Sequence, residues 1–201
     1  MAKSFDFIFD FAGPNAYLAH KVLPEFCART GAVANYIPCL LGGIFKATGN
    51  RAPMLRYADA PAKLAYEQLE FTRFIAANKL NRFQFNPHFP VNSLLIMRGA
   101  VVAQQDGVFA AYVDAMFAAM WEGGLDLANA DVASQALSNA GLDGPGLLGR
   151  ASDQQVKDVL AANTDAAVAR GTFGVPTFFV GDDIYFGKER LGQVAQALEA
   201  L

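Results

Sequence analysis

Apolar and polar residues alternate over residues 4–11, Ser-Phe-Asp-Phe-Ile-Phe-Asp-Phe. Phe5, Phe7, Phe9 and Phe11 fall on one face, with Ile8 between Asp6 and Asp10 on the other. A period of two predicts a β-strand. Gly13-Pro14 follows, and proline suits the first turn of a helix because its missing N–H has no partner there. That helix carries Tyr17, Leu18, His20 and Val22 toward Cys27, with Pro24 expected to bend it and Gly31 to end it. A second strand is expected near Val33–Pro38, and strand–helix–strand favours a parallel pair with a right-handed crossover.

From about Pro61 to Arg170 the spacing turns helical. Over 107–121, Phe109, Tyr112, Val113, Met116, Phe117, Met120 and Trp121 advance by steps of three and one, which lines up one apolar stripe. Further helices are predicted near 62–79 and 92–105, and another capped by Asn129 or Asp131 and ended by Gly141. Ser152-x-x-Gln155 reads as a capping box opening a helix to about Arg170. Strand character returns with Pro176–Val180, a turn at Gly181-Asp182-Asp183 and a hairpin partner at Ile184–Phe186. Glu189–Leu201 reads as a closing helix. The order β-α-β, helical block, β-β-α predicts an α/β fold with a large all-helical insertion.

Composition narrows the function classes. The 201 residues are 53% hydrophobic and 17% charged, with 17 Phe, one Trp and a formal charge of −3. So apolar a chain is not disordered, and a mildly acidic one without a basic run excludes nucleic acid as the expected partner. No apolar run reaches the ~18 residues of a membrane span. Asp6 and Asp10 interrupt what would be a signal peptide, so the expected location is the cytoplasm. Cys27 and Cys39 match neither a zinc pair nor C-x-x-C, and two histidines do not make a typical metal site, so no metal is expected.

Three local features could carry chemistry. Phe11-Ala12-Gly13-Pro14 feeds a strand into a helix N-terminus, where N–H groups favour an anion or thiolate. Gly174-Val175-Pro176-Thr177 puts a proline at a strand start, where a cis bond would leave the Val175 backbone free for a peptide-like ligand. Asn86-Pro-His-Phe-Pro-Val-Asn92 is a proline-rich turn carrying His88. Each also has a plain reading: a strand-to-helix turn, an edge-strand proline, and a helix-entry loop capped by Asn92. Singly, none decides.

Together they resemble the 2-hydroxychromene-2-carboxylate isomerases and kappa-class glutathione transferases, relatives of the disulfide oxidoreductase DsbA. The resemblance rests on Phe9-Asp-Phe-Ala-Gly-Pro-Asn-Ala-Tyr-Leu-Ala19, on Leu40–Asn50 and Asn86–Asn92, and on Phe173–Gly181 with Phe186–Leu191. It implies a thioredoxin-like domain in two parts, 1–50 and 166–201, around a helical domain at 51–165. It implies glutathione as cofactor, its thiolate adding reversibly to a 2-hydroxychromene-2-carboxylate-type aromatic acid. Val175, before a cis Pro176, would pair main chain with the cysteinyl part, and Asn50, Lys188 and Glu189 would hold the polar ends. Glu189 stands where aspartate is expected. Lys46, His88 and Arg98 are candidate anchors for a substrate carboxylate, with Tyr112 and Trp121 as candidate walls. A homodimer acting on a small aromatic carboxylate or electrophile is expected.

The family pattern places serine directly before the proline, where its hydroxyl donates to the glutathione sulfur. Here that position is Gly13. Losing a charge-assisted hydrogen bond of roughly 1.5–3 kcal/mol leaves the thiol harder to ionise. The N–H of Asn15 or Ala16, or the Asn15 amide, is the expected substitute donor. A kappa-like transferase is one alternative to the isomerase, and Gly13 keeps another open, a non-catalytic binder of glutathione or aromatic acids.

Overall fold

The computed structural model describes residues 3–201. Strands β1 (Ser4–Phe9), β2 (Val33–Pro38), β3 (Thr177–Val180) and β4 (Asp183–Phe186) form one sheet in the order β2-β1-β3-β4. β1 and β2 are parallel, in register from Ser4↔Val33 to Phe9↔Pro38, and α1 (Pro14–Thr30) is their crossover, as the pattern predicts. β3 runs antiparallel to β1, with Phe7 opposite Phe178, and forms a hairpin with β4. Helices α2 (Leu41–Thr48), α3 (Pro53–Arg56), α4 (Pro61–Ala77), α5 (Leu94–Gln105), α6 (Phe109–Trp121), α7 (Ala130–Asn139), α8 (Gly144–Gly149) and α9 (Gln154–Ala169) lie between the two strand pairs, and α10 (Leu191–Glu199) closes the chain. The junction expected at 165–166 falls inside α9, whose Val156, Leu160, Thr164 and Ala167 bury one continuous side.

β1 has a strand on each side and is covered on both faces, so Ile8 and Asp10 are as buried as the phenylalanines opposite them. The Phe7 ring lies 5.6 Å from Phe9 and 5.4 Å from Phe178, and Phe11 meets Phe117 of α6 at 4.9 Å. Each such ring contributes roughly 1.5–3 kcal/mol by burial. The apolar stripe of α6 faces this slab, with Tyr112, Val113, Met116, Phe117, Met120 and Trp121 all buried.

The helix ends follow local chemistry with one correction. Gly31 takes the left-handed conformation, φ 67°, and its N–H bonds the Cys27 carbonyl. Pro24 lies inside a helix that continues to Thr30, and the Asn129 side chain caps α7 by accepting from Asp131 and Val132. The Ser152 capping box does not form. Ser152 belongs to a short 3-10 turn, its hydroxyl donates to the Gly149 carbonyl, and α9 starts one residue later behind Asp153. A further tie joins the strands to the helices: His20 of α1 sits 2.9 Å from the Tyr36 hydroxyl of β2 and 2.9 Å from the Asp114 carboxylate of α6, stacked on Phe117. Among the described residues no helix is long and apolar enough to cross a membrane.

The contact between α5 and α6 depends on a missing side chain. A Cβ on Gly99 would lie 2.2 Å from the Tyr112 hydroxyl and 2.9 Å from Leu148 Cδ2. Gly99→Ala is expected to lower stability by about 1–3 kcal/mol, as overpacking does, measured by urea unfolding. A neutral or stabilising result would show that this contact yields freely.

Candidate functional site

The end of β1 is held by polar contacts rather than by a loop's freedom. The Asp10 carboxylate, 0% exposed, accepts the N–H of Ala12 at 2.9 Å and of Leu41 at 2.7 Å, and the Gly13 N–H donates to the Asp10 carbonyl at 3.0 Å. Trp121 Nε1–H donates to the Phe11 carbonyl at 2.8 Å. Gly13 is in ordinary extended conformation (φ −87°, ψ 106°), so no backbone constraint demands glycine. Space favours it: an added Cβ would lie 2.8 Å from Val175 Cγ2 and 3.3 Å from the Asp10 carbonyl oxygen, so the Val175 side chain would have to shift. That approach brings the first and last sequence motifs face to face.

Pro14 opens α1, and the amides of Ala16 and Tyr17 both donate to the Gly13 carbonyl, at 2.9 and 3.1 Å. Of the two amides expected to face a sulfur, Ala16 is thus engaged, and Asn15 keeps the free N–H of the first turn. The Asn15 side-chain oxygen is enclosed without a protein partner. Across from this turn the Val175–Pro176 peptide is cis. Pairing of β3 begins only at Thr177, between β1 and β4, so Pro176 is not an edge-strand residue. Val175 makes no backbone hydrogen bond among the described residues, while Pro176 accepts from Gly187 N–H at 3.0 Å.

Asn50, just past α2, joins this loop by donating to the Phe173 carbonyl at 2.7 Å, and its side-chain oxygen accepts from Arg56 at 2.7 Å. Thr48, Gly49, Asn50, Arg51, Arg56 and Phe173 line a cavity of about 420 Å³. The two arginines were not nominated from the sequence. The only signal for them is a group of three cations, with Lys46, within six residues of Asn50 in a chain of 17% charged residues.

Other nominated residues lie elsewhere or do other work. Lys188 is 3% exposed, its ammonium 5.5 and 5.1 Å from the ring centres of Phe71 and Phe74 of α4, and it pairs with the Glu189 carboxylate. His88 is exposed, and the fixed member of its turn is the buried Asn86, which donates to the carbonyls of Met120 and Leu125 and accepts the His88 N–H. Tyr112 and Trp121 do not wall an open cavity. Both are fully buried, with the Tyr112 hydroxyl donating to the Ile96 carbonyl at 2.7 Å. The exposed aromatic beside Trp121 is Phe85, ring centre 5.9 Å away. Lys46 is exposed on α2, and Arg98 is half-buried on α5 with its Nε enclosed and unpartnered. The Gly13 turn contains no cysteine. Cys39 is buried at the end of β2, its thiol pushed up to about 12 by burial and then by the Asp10 charge.

Residues 5–199 match the model of the DSBA-like thioredoxin domain. A Sphingobium xenophagum protein named 2-hydroxychromene-2-carboxylate isomerase is 29% identical over 199 residues, covering 95% of this chain and 95% of its own. One of the same name from Pseudomonas putida is 28% identical, covering 98% and 94%. A solved 2-hydroxychromene-2-carboxylate isomerase superposes with a TM-score of 0.83 at 27% identity over 98% of this chain and 95% of that one. A probable DsbA oxidoreductase from Streptomyces coelicolor shares the fold, with a TM-score of 0.74 at 18% identity over 98% and 89%.

The Gly13–Val175 approach predicts a coupled pair. Gly13→Ser is expected to cost roughly 1–2 kcal/mol of stability, and Val175→Ala in the same chain to remove part of that cost, with a coupling of about 0.5 kcal/mol or more in a double-mutant cycle by urea unfolding. Strict additivity would show that Val175 moves aside at no cost.

Proposed function

The chain belongs to the DSBA-like thioredoxin domain family, and from that premise we propose that it is a glutathione-dependent isomerase of 2-hydroxychromene-2-carboxylate-type aromatic acids. The observation that carries the proposal is a cysteine-free turn at Gly13–Pro14 packed against the side chain of Val175, a residue whose main chain is unpaired, in a chain aligned end to end with relatives named for that isomerisation. A thioredoxin-like site without its own thiol suits a thiol carried in by a peptide ligand.

The residues present fit glutathione. Val175 offers a free N–H and a free C=O, the pair needed to align an extended tripeptide. Asn50, Arg51 and Arg56 offer donors to its carboxylates in the adjoining cavity, where arginine forks match carboxylate geometry. Bound glutathione would supply the nucleophilic sulfur that the Gly13 turn lacks. The Asn15 N–H, at the positive end of the 17-residue α1, favours an anion beside Gly13. The exposed Phe85, with half-buried Phe89 packed on it, offers an apolar surface to an aromatic acid, and His88 in the same turn is a candidate to hold its carboxylate.

Gly13 favours a second reading, in which the chain binds glutathione without activating it. Calorimetry and a spectroscopic isomerase assay separate the two. The isomerase reading expects glutathione to bind and 2-hydroxychromene-2-carboxylate to isomerise only in its presence. It also expects Arg56→Gln to weaken glutathione binding about tenfold, the scale of one charged hydrogen bond. Binding without turnover supports the binder, and no binding at millimolar glutathione excludes both.

A further inference from the structure

We infer that Asp10 is the positioning residue of this site, its one carboxylate holding three separate segments in register. Asp10 ends the central strand and is wholly enclosed. One oxygen accepts from Ala12 in the turn that leads to Gly13 and Pro14. The other accepts from Leu41, the first residue of α2, whose far end leads into Asn50 and the arginine cavity. The buried Ser93, which opens α5 directly after the Asn86–Asn92 turn, brings its hydroxyl near enough to this carboxylate to favour the charged form, and makes no capping bond to its own helix. The three segments joined at this carboxylate are those that carry the first three sequence motifs. They are far apart in the chain, so no local interaction sets their spacing.

The chemistry requires an ionised carboxylate. Two backbone N–H groups and a hydroxyl need acceptors on both oxygens, and burial leaves water no place to supply them. An asparagine presents one acceptor and turns an NH₂ toward a donor. α2 has no side-chain cap of its own, so the Asp10 charge also stands at the positive end of that helix. Cys39 is the other titratable group coupled to Asp10 among the described residues, and its raised thiol stays neutral across the acid range.

Burial, opposed by the bonds from Leu41, Ala12 and Ser93, raises the Asp10 pKa above its ordinary 3.8. The sign has a useful consequence. The native chain takes up this proton before the unfolded one, so the Asp10 contribution to global stability grows as pH falls through that window, while one of the two acceptor oxygens becomes a hydroxyl donor. A loss of ligand binding there is local, not unfolding.

This inference rests on the glutathione reading, and two readouts keep the two apart. Glutathione calorimetry across pH is expected to show an acid limb in the parent above pH 3.8 while circular dichroism shows the chain still folded. Asp10→Asn is expected to remove that limb and weaken binding about tenfold at neutral pH. Ser93→Ala removes a donor that holds the pKa down, so it is expected to move the limb to higher pH with the fold intact. Hydrogen exchange needs no ligand: Asp10→Asn, or acidification of the parent should that variant not fold, is expected to speed exchange together in 12–16, 41–44 and 93–97. A Ser93→Ala profile identical to the parent's, or exchange rising only in 12–16, overturns the inference. Coupled exchange in a parent that binds no glutathione sinks the functional reading and leaves the positioning role standing.

Discussion

A strand covered on both faces and paired along both edges must end inside the protein, and β1 is such a strand. The phenylalanine slab of Phe5, Phe7, Phe9 and Phe11 fixes it in place, so the chain turns at Phe11–Gly13 where water cannot satisfy the backbone. Most polar groups of that turn have an assigned partner: Phe11 C=O takes Trp121, Ala12 N–H takes the Asp10 carboxylate, and Gly13 N–H takes the Asp10 carbonyl. The site is built from what remains unassigned beside it, the Asn15 N–H and the main chain of Val175.

Much of this frame is legible in the sequence because it is written in local periodicity. The period-two run of β1, the Val33–Pro38 strand, the stripe of α6 and the stop at Gly31 each depend on residues a few positions apart. α2 is harder. It contains Gly42 and Gly43, weak helix formers, and its N-terminus is completed by Asp10, thirty-one residues earlier. Ser152-x-x-Gln155 has the letters of a capping box, yet the preceding 3-10 turn carries Ser152 past the position from which it could cap.

The candidate site divides the same way. Motif resemblance located Gly13, Asn50 and the Val175–Pro176 pair, which the fold brings together. It did not reveal that Lys188 lies over two aromatic rings, because lysine reads as exposed wherever pattern alone is used. Arg51 and Arg56 were missed for the opposite reason. Exposed charges between helices have no periodicity, and only the cavity they share with Asn50 and Phe173 marks them. Tyr112 and Trp121 were legible as a helix stripe, and the stripe reading was the sounder one.

The attachment of α6 has a consequence for traffic. Trp121 bonds the Phe11 carbonyl near one end of that helix, and Asp114 engages His20 nearer the other. Swinging the helices away from the sheet would break both ties and uncover stacked rings, so the two layers do not part to admit a visitor. A ligand seated against Asn50, Arg51 and Arg56 would meet the rim at residues 48–56, where the side chains are largely exposed. Arrival and departure rates are then properties of that rim, and substitutions there can alter residence time while leaving the buried slab and its packing untouched.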